Sequence, residues 1–184
     1  MNQEQKTLLE GKGLELVLQR LCLELKENYG DFSDAVLIGL QPRGALLSAN
    51  LHRRLEQMTG KSIQHGKLDI TFFRDDFRRG DDILRPNTTS IDFLTENKNV
   101  ILIDDVLYTG RSVRAGFDAL MAFGRPAKVE LLTLIDRRYT RHIPIEANYC
   151  GKAVDTHAGQ KVMLQWDSTQ TNLEKVTLFT RDEV

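Results

Sequence analysis

Three short, nearly uninterrupted apolar runs constrain this fold more than any other feature: AVLIG at 35–39, NVILI at 99–103 and VELLTLI at 129–135. Runs of about four to eight such residues suit strands buried on both faces, as in a parallel sheet covered by helices on either side. The intervening segments carry helical spacing. Leu14, Val17, Leu18, Leu21 and Leu25 predict a helix over 14–26, and Leu47, Leu51, Leu55 and Met58 share one face until Gly60. A further helix is predicted over 113–123, closed by Gly124 and Pro126, and the alternation of Leu68, Ile70 and Phe72 predicts a half-exposed strand. Strands and helices in alternation indicate an α/β fold with a mostly parallel central sheet flanked by helices, a single domain over 1–184.

Composition removes several classes of function. With 41% hydrophobic and 28% charged residues the chain has enough apolar material for a core. A net charge of −1 gives no general affinity for nucleic acid or anionic membrane, so any such affinity needs a local patch. Cys22 and Cys150 are too few for a disulfide scaffold and lack zinc spacing. The opening MNQEQKTLLEGKG lacks a signal-peptide pattern, and no apolar run reaches spanning length. These features lead us to expect a soluble cytoplasmic protein with no membrane partner.

One stretch breaks the rhythm. Residues 74–87 (RDDFRRGDDILRPN) show no apolar period and mix four arginines with four aspartates. A solvated hairpin held by weak ion pairs and a flexible loop over about 74–90 whose arginines meet an anionic ligand are both compatible with this composition.

The chemistry concentrates at 100–112, VILIDDVLYTGRS. An apolar strand is predicted to end at Asp104 and Asp105, and a turn through Val106, Leu107, Tyr108, Thr109 and Gly110 feeds a helix. Ligands of open α/β sheets sit beyond such strand ends. Backbone N–H groups from Tyr108 through Arg111 to Ser112 can curl around an anion, aided by the helix dipole. Gly110 lets the main chain approach the ligand, and Thr109 and Ser112 offer hydroxyl donors. Two adjacent carboxylates need hydroxyl or metal partners to offset repulsion and desolvation. The combination suits a sugar phosphate, with amides on the phosphate and carboxylates on ribose hydroxyls. Neither a Walker loop nor a GxGxxG fingerprint is present.

The 100–112 segment resembles the phosphoribosyl-pyrophosphate signature of type I phosphoribosyltransferases. Tyr108 and the following RSVRAGFDAL resemble the PyrR family of pyrimidine operon regulators with uracil phosphoribosyltransferase activity. The likeness continues through IGLQPRGALL, LDITFFRDD, GRPAKVELLTLIDRR, PIEANYCGK and KVMLQWD, from about Ala35 to Asp167. It implies a type I phosphoribosyltransferase fold with a small hood and a flexible loop. It also implies formation of UMP and pyrophosphate from uracil and phosphoribosyl pyrophosphate, with Mg²⁺ as cofactor. Asp104, Asp105 and Arg74 are then the expected catalytic residues, Arg78 and Arg79 alternative loop donors, and Asp104 and Asp105 the metal side.

Arg43 and Gly44 in LQPRG are expected to meet pyrophosphate, and Pro42 in that loop permits a cis peptide at Gln41–Pro42. Asp136 and Arg137 are expected at a base pocket over 135–138, with 162–166 contributing. Tyrosine, with an ordinary pKa of about 10, suits Tyr108 to substrate positioning rather than proton transfer.

The resemblance also implies an alternative: a UMP-responsive attenuator that binds the leader RNA of pyrimidine operons. Its basic surface would comprise Arg138, Arg141, His142 and Lys152, beside Arg137 and Arg125. Glu146 stands where RNA-binding relatives tend to carry a basic residue, which favours the enzyme. A homodimer or larger homo-oligomer is expected from the same likeness.

Overall fold

A computed structural model describes residues 4–75, 87–157 and 159–180. The segment 76–86, with Arg78 and Arg79, lies outside the described residues. The chain runs β1 (Glu4–Glu10), α1 (Gly11–Tyr29), β2 (Ala35–Leu40), α2 (Arg43–Thr59), β3 (His65–Leu68), β4 (Asn99–Leu107), α3 (Arg111–Leu120), β5 (Lys128–Arg138), β6 (Tyr149–Asp155), β7 (Gln160–Trp166) and β8 (Leu173–Thr180). Short 3₁₀ turns occupy Thr71–Phe73 and Met121–Phe123.

The three apolar runs become β2, β4 and β5, adjacent strands of a parallel five-stranded sheet ordered β3-β2-β4-β5-β6. Their lack of alternation has a direct cause, because both faces are covered. Leu37, Ile101, Ile103 and Leu132 pack with Leu18, Leu21 and Leu25 of α1 and Leu47, Leu51 and Leu55 of α2. Val36, Ile38, Val100 and Leu102 pack with Val113, Ala115 and Leu120 of α3 on the opposite side. The second sheet is antiparallel, ordered β1-β8-β7. Leu9, Val162, Val176 and Leu178 join it to the same apolar cluster as α1 and α2.

Strand order places the site. The chain leaves β2 through α2 toward β3 on one side, then crosses to β4 on the other, so the order reverses between β2 and β4. Such a reversal opens a crevice at the carboxyl ends of the two strands. Into it run the 40–44 loop after β2 and the 104–110 segment of β4.

Two element boundaries differ from expectation. β4 continues through both acids to Leu107, because Asp104, Val106 and Leu107 keep their pairing with Thr133, Ile135 and Asp136 of β5. The strand expected around Leu68, Ile70 and Phe72 instead ends at Leu68. There Asp69 Oδ1 accepts the Thr71 amide at 3.1 Å and its hydroxyl at 2.6 Å. Such an Asx turn diverts the backbone from the ladder. Ile70 is buried while Phe72 is exposed.

Close packing at the crevice depends on Gly44. A Cβ there would lie 2.4 Å from the Ile103 carbonyl oxygen and 2.9 Å from the Asp104 Cα, so a side chain would push α2 away from β4. Gly44→Ala should lower stability by about 1–3 kcal/mol, the usual cost of overpacking. Urea denaturation reads the loss, and an unchanged midpoint would contradict this packing.

Candidate active site

The crevice holds a cavity of about 890 Å³. Arg43 from the 40–44 loop, Arg74 from the base of the 74–90 stretch, and Asp104, Asp105, Val106, Tyr108 and Ser112 from the β4–α3 segment all line it. Arg137 of β5 and residues 159–162 of the antiparallel sheet close the far side. A smaller cavity of about 260 Å³ shares several of these walls and adds Leu107, Thr109, Gly110 and Arg111.

Local sequence builds each wall. Gly110 carries a φ of 89° at the N-cap of α3, a left-handed conformation that glycine adopts without a Cβ penalty. It turns the chain from β4 into the helix, whose first-turn amides have no intrahelical acceptors, the kind of terminus that suits an anion. The Gln41–Pro42 peptide is cis, and Arg43 is the exposed first residue of α2.

The two acids are the electrostatic centre. Asp104 is 9% and Asp105 7% exposed. Burial, reinforced by the Asp105 charge, holds the Asp104 carboxyl well above the usual carboxylate range. Burial also raises Asp105, opposed by the Arg43 guanidinium. Asp104 Oδ1 accepts the Asp105 amide at 3.0 Å and Asp105 Oδ1 accepts the Val106 amide at 2.8 Å. Asp105 Oδ2 is buried with no hydrogen-bond partner among the described residues. An orphan acceptor in a cavity wall fits a donor from outside the protein, either a hydroxyl or a cation.

The residues also fit Mg²⁺ of a particular kind. No group of three or more His, Cys, Asp or Glu side chains among the described residues could enclose a metal. Asp104 and Asp105 can therefore supply one or two hard oxygen ligands, and ligand oxygens and water the rest, which matches the habit of Mg²⁺ at phosphates.

Some expected residues stand elsewhere. Asp136 lines neither cavity; its carboxylate pairs with Arg141 Nη2. Gly44 lies behind the site, packed on β4. Ile135 is fully buried in the core, so the base-pocket expectation for 135–138 reduces to Arg137, and that for 162–166 to Val162. Arg137 stacks 3.9 Å above the Tyr108 ring and donates to Thr156 Oγ1 at 2.9 Å, the Gln160 carbonyl at 2.9 Å and the His157 carbonyl at 3.2 Å. It thus pins the motif tyrosine to the β6–β7 turn.

Among the expected RNA contacts, Arg138, His142 and Lys152 are exposed, but Arg141 is turned inward onto backbone carbonyls. That placement corrects the expectation of a surface cation. The sequence reading missed Ile70 and Gly159–Lys161 as cavity walls. The alternation of Val162, Leu164 and Trp166 was the available signal for β7, the strand that brings the latter group in.

The chain is similar to known proteins in sequence and in fold. The phosphoribosyl transferase domain family matches residues 4–167. "Bifunctional protein PyrR" of Desulfosudis oleivorans is 41% identical over 163 residues, 88% of this chain and 90% of that protein. That of Bacillus subtilis is 39% identical over 175 residues, 94% and 95% of the two chains. The chain belongs to the PyrR family. The PyrR-family fold is shared more widely. A hypoxanthine phosphoribosyltransferase from Staphylococcus aureus superposes with a TM-score of 0.68 at 22% identity, over 93% of this chain and 90% of that one. The hypoxanthine phosphoribosyltransferase of Trypanosoma cruzi gives 0.70 at 15% identity, over 96% and 97%. Among the described residues no helix is long and apolar enough to cross a membrane.

The buried acid pair should cost stability. Because both carboxyls are raised in the folded protein, their charged forms oppose folding above the folded pKa, and the penalty fades as pH falls toward the unfolded value of about 4. Asp104→Asn should therefore raise the thermal midpoint by a few degrees at neutral pH and by less near pH 4. A variant less stable than wild type at pH 7.5 would contradict this electrostatic picture.

Proposed function

We propose that this protein is a uracil phosphoribosyltransferase, converting uracil and phosphoribosyl pyrophosphate to UMP and pyrophosphate in pyrimidine salvage. The observation that carries the reading is the buried Asp105 Oδ2, which has no hydrogen-bond partner among the described residues, on a residue that lines one cavity with Arg43, Arg74 and residues of the β4–α3 turn. Membership of the PyrR family supports the choice of base.

In this reading the 5′-phosphate lies on the turn from Thr109 to Ser112, with their two hydroxyls as further donors. Asp104 and Asp105 accept from the ribose hydroxyls, and Arg43 and Arg74 offset the charge of the diphosphate. The C1–oxygen bond to pyrophosphate breaks with its electron pair on the leaving group, the new bond forms from uracil N1 to C1, and the N1 proton leaves to solvent, from which the released pyrophosphate takes one up. The state between has oxocarbenium character, so positioning and leaving-group neutralisation dominate. The carboxylates stand near the developing positive charge and favour it over the neutral ground state. Asp104 and Asp105 would hold Mg²⁺, which would supply neutralisation of the leaving group's charge. Tyr108, fixed by Arg137, forms a wall against which the base is oriented. Cytoplasmic location and assembly as a homodimer or larger homo-oligomer belong to this reading through the family resemblance.

A second activity is favoured by the description of the relatives as bifunctional: binding of pyrimidine-operon leader RNA in response to UMP. The exposed Arg138, His142 and Lys152 are its candidate contacts, while the exposed Glu146 opposes it.

Protein mixed with Mg²⁺, phosphoribosyl pyrophosphate and labelled uracil should yield UMP, and absence of product would refute the enzyme. Asp105→Asn should cut turnover by about a hundredfold or more with an unchanged far-UV spectrum. Retained activity would remove the carboxylate from its assigned role. For the second activity, a gel shift with leader RNA should weaken with salt and strengthen with UMP. Equal binding of scrambled RNA would reduce it to nonspecific attraction.

A further inference from the structure

The anion-binding turn is held from behind by one side chain outside the motif. Arg141 Nη1 donates to the Leu107 carbonyl at 3.2 Å and also to the Tyr108 carbonyl. The same group reaches the Arg137 carbonyl at 3.2 Å, Nε reaches the Ile145 carbonyl at 3.0 Å, and Nη2 pairs with the Asp136 carboxylate. The adjoining chain completes the set. Thr140 Oγ1, with one proton, lies 2.9 Å from the Arg137 carbonyl and 3.4 Å from the Tyr108 carbonyl, and the His142 and Ile143 amides donate to the Thr109 carbonyl at 3.0 and 3.2 Å.

Each of these carbonyls belongs to a planar trans peptide whose N–H points the opposite way. Fixing the carbonyls of Leu107, Tyr108 and Thr109 toward the 139–145 segment therefore turns the N–H groups of Tyr108, Thr109 and Gly110 away from it. The smaller cavity lies on that other side, lined by Tyr108, Thr109 and Gly110 and by no residue of 139–145. An isolated carbonyl facing a phosphate would repel it, so orientation of these peptides decides whether the turn binds an anion at all.

We propose that Arg141 is a positioning residue for sugar-phosphate binding, which orients the amides of Tyr108, Thr109 and Gly110 by holding the carbonyls behind them. The inference rests on the reading of this cavity as the sugar-phosphate site. Arg141 acts through the turn and does not touch the ligand, and the Asp136 carboxylate balances its charge. Lysine is a poor replacement, since one ammonium on a flexible stem cannot serve this spread of acceptors in a plane.

The test uses ribose 5-phosphate in calorimetric titrations of wild type, Arg141→Ala and Arg141→Lys, together with steady-state kinetics. Arg141→Ala should weaken ribose 5-phosphate by about tenfold or more. The KM for phosphoribosyl pyrophosphate should rise in step, that for uracil should stay within about twofold, and Arg141→Lys should restore only part of the loss. Unchanged affinity in a folded Arg141→Ala would overturn the proposal, as would an equal rise in both KM values, which marks a general structural loss. If Arg141→Ala does not fold, Arg141→Lys and Thr140→Val carry the test, and unchanged affinity in both overturns it. Wild type that binds ribose 5-phosphate but forms no UMP would refute the enzyme and leave the positioning role standing. Wild type that neither binds it nor forms UMP would refute both, and wild type that forms UMP without binding it would overturn the positioning role alone.

Discussion

The parallel pairing of β2 with β4 is the constraint on which the rest depends. Ala35 to Gly39 lie in register with Asn99 to Ile103, so two largely apolar segments run side by side, and β4 continues beyond the end of β2 through Asp104 and Asp105 to Leu107. Their apolar faces bury α1 and α2 on one side and α3 on the other. At their ends Arg43, Asp104 and Asp105 line the crevice, with Pro42 and Val106 among its apolar walls. Because strand order reverses here, the loops after β2 and β4 diverge and leave room for a ligand. Gly44 sets how closely those loops approach, and its packing against Ile103 and Asp104 links core geometry to the position of the acids.

The site combines groups that work against stability. Two adjacent acids are buried, and one oxygen has no partner among the described residues. A core arranged for stability alone would exclude this cluster. In the proposed function a ligand would offset this cost, with hydroxyl donors for the carboxylates and anionic oxygens for Arg43, Arg74 and the amide turn. The polar network behind the turn has the opposite character, since the carbonyls of Leu107, Tyr108 and Thr109 all have donors.

Much of this was legible in the residues. The three apolar runs reported the sheet centre because burial on both faces removes alternation, and 100–112 reported the site because adjacent acids before a glycine turn have few other uses. The antiparallel sheet was harder to read. In β1 apolar residues are sparse, and its pairing with β8 joins segments distant along the chain. The inward role of Arg141 was not legible at all, since a run of arginines reads as surface until the carbonyls that take them up are located. Likewise Asp136 looked like a ligand contact from its place at a strand end, yet its partner is a cation five residues on.

The central claim is that the tips of β2 and β4 hold a phosphorylated pentose between main-chain amides and paired acids. A crystal structure of the protein with phosphoribosyl pyrophosphate tests it most directly. The phosphate should lie on the amides between Thr109 and Ser112, with a ribose hydroxyl within hydrogen-bond distance of Asp105 Oδ2. Density for the sugar away from both groups, or Asp105 turned to a protein partner in the complex, would contradict the account.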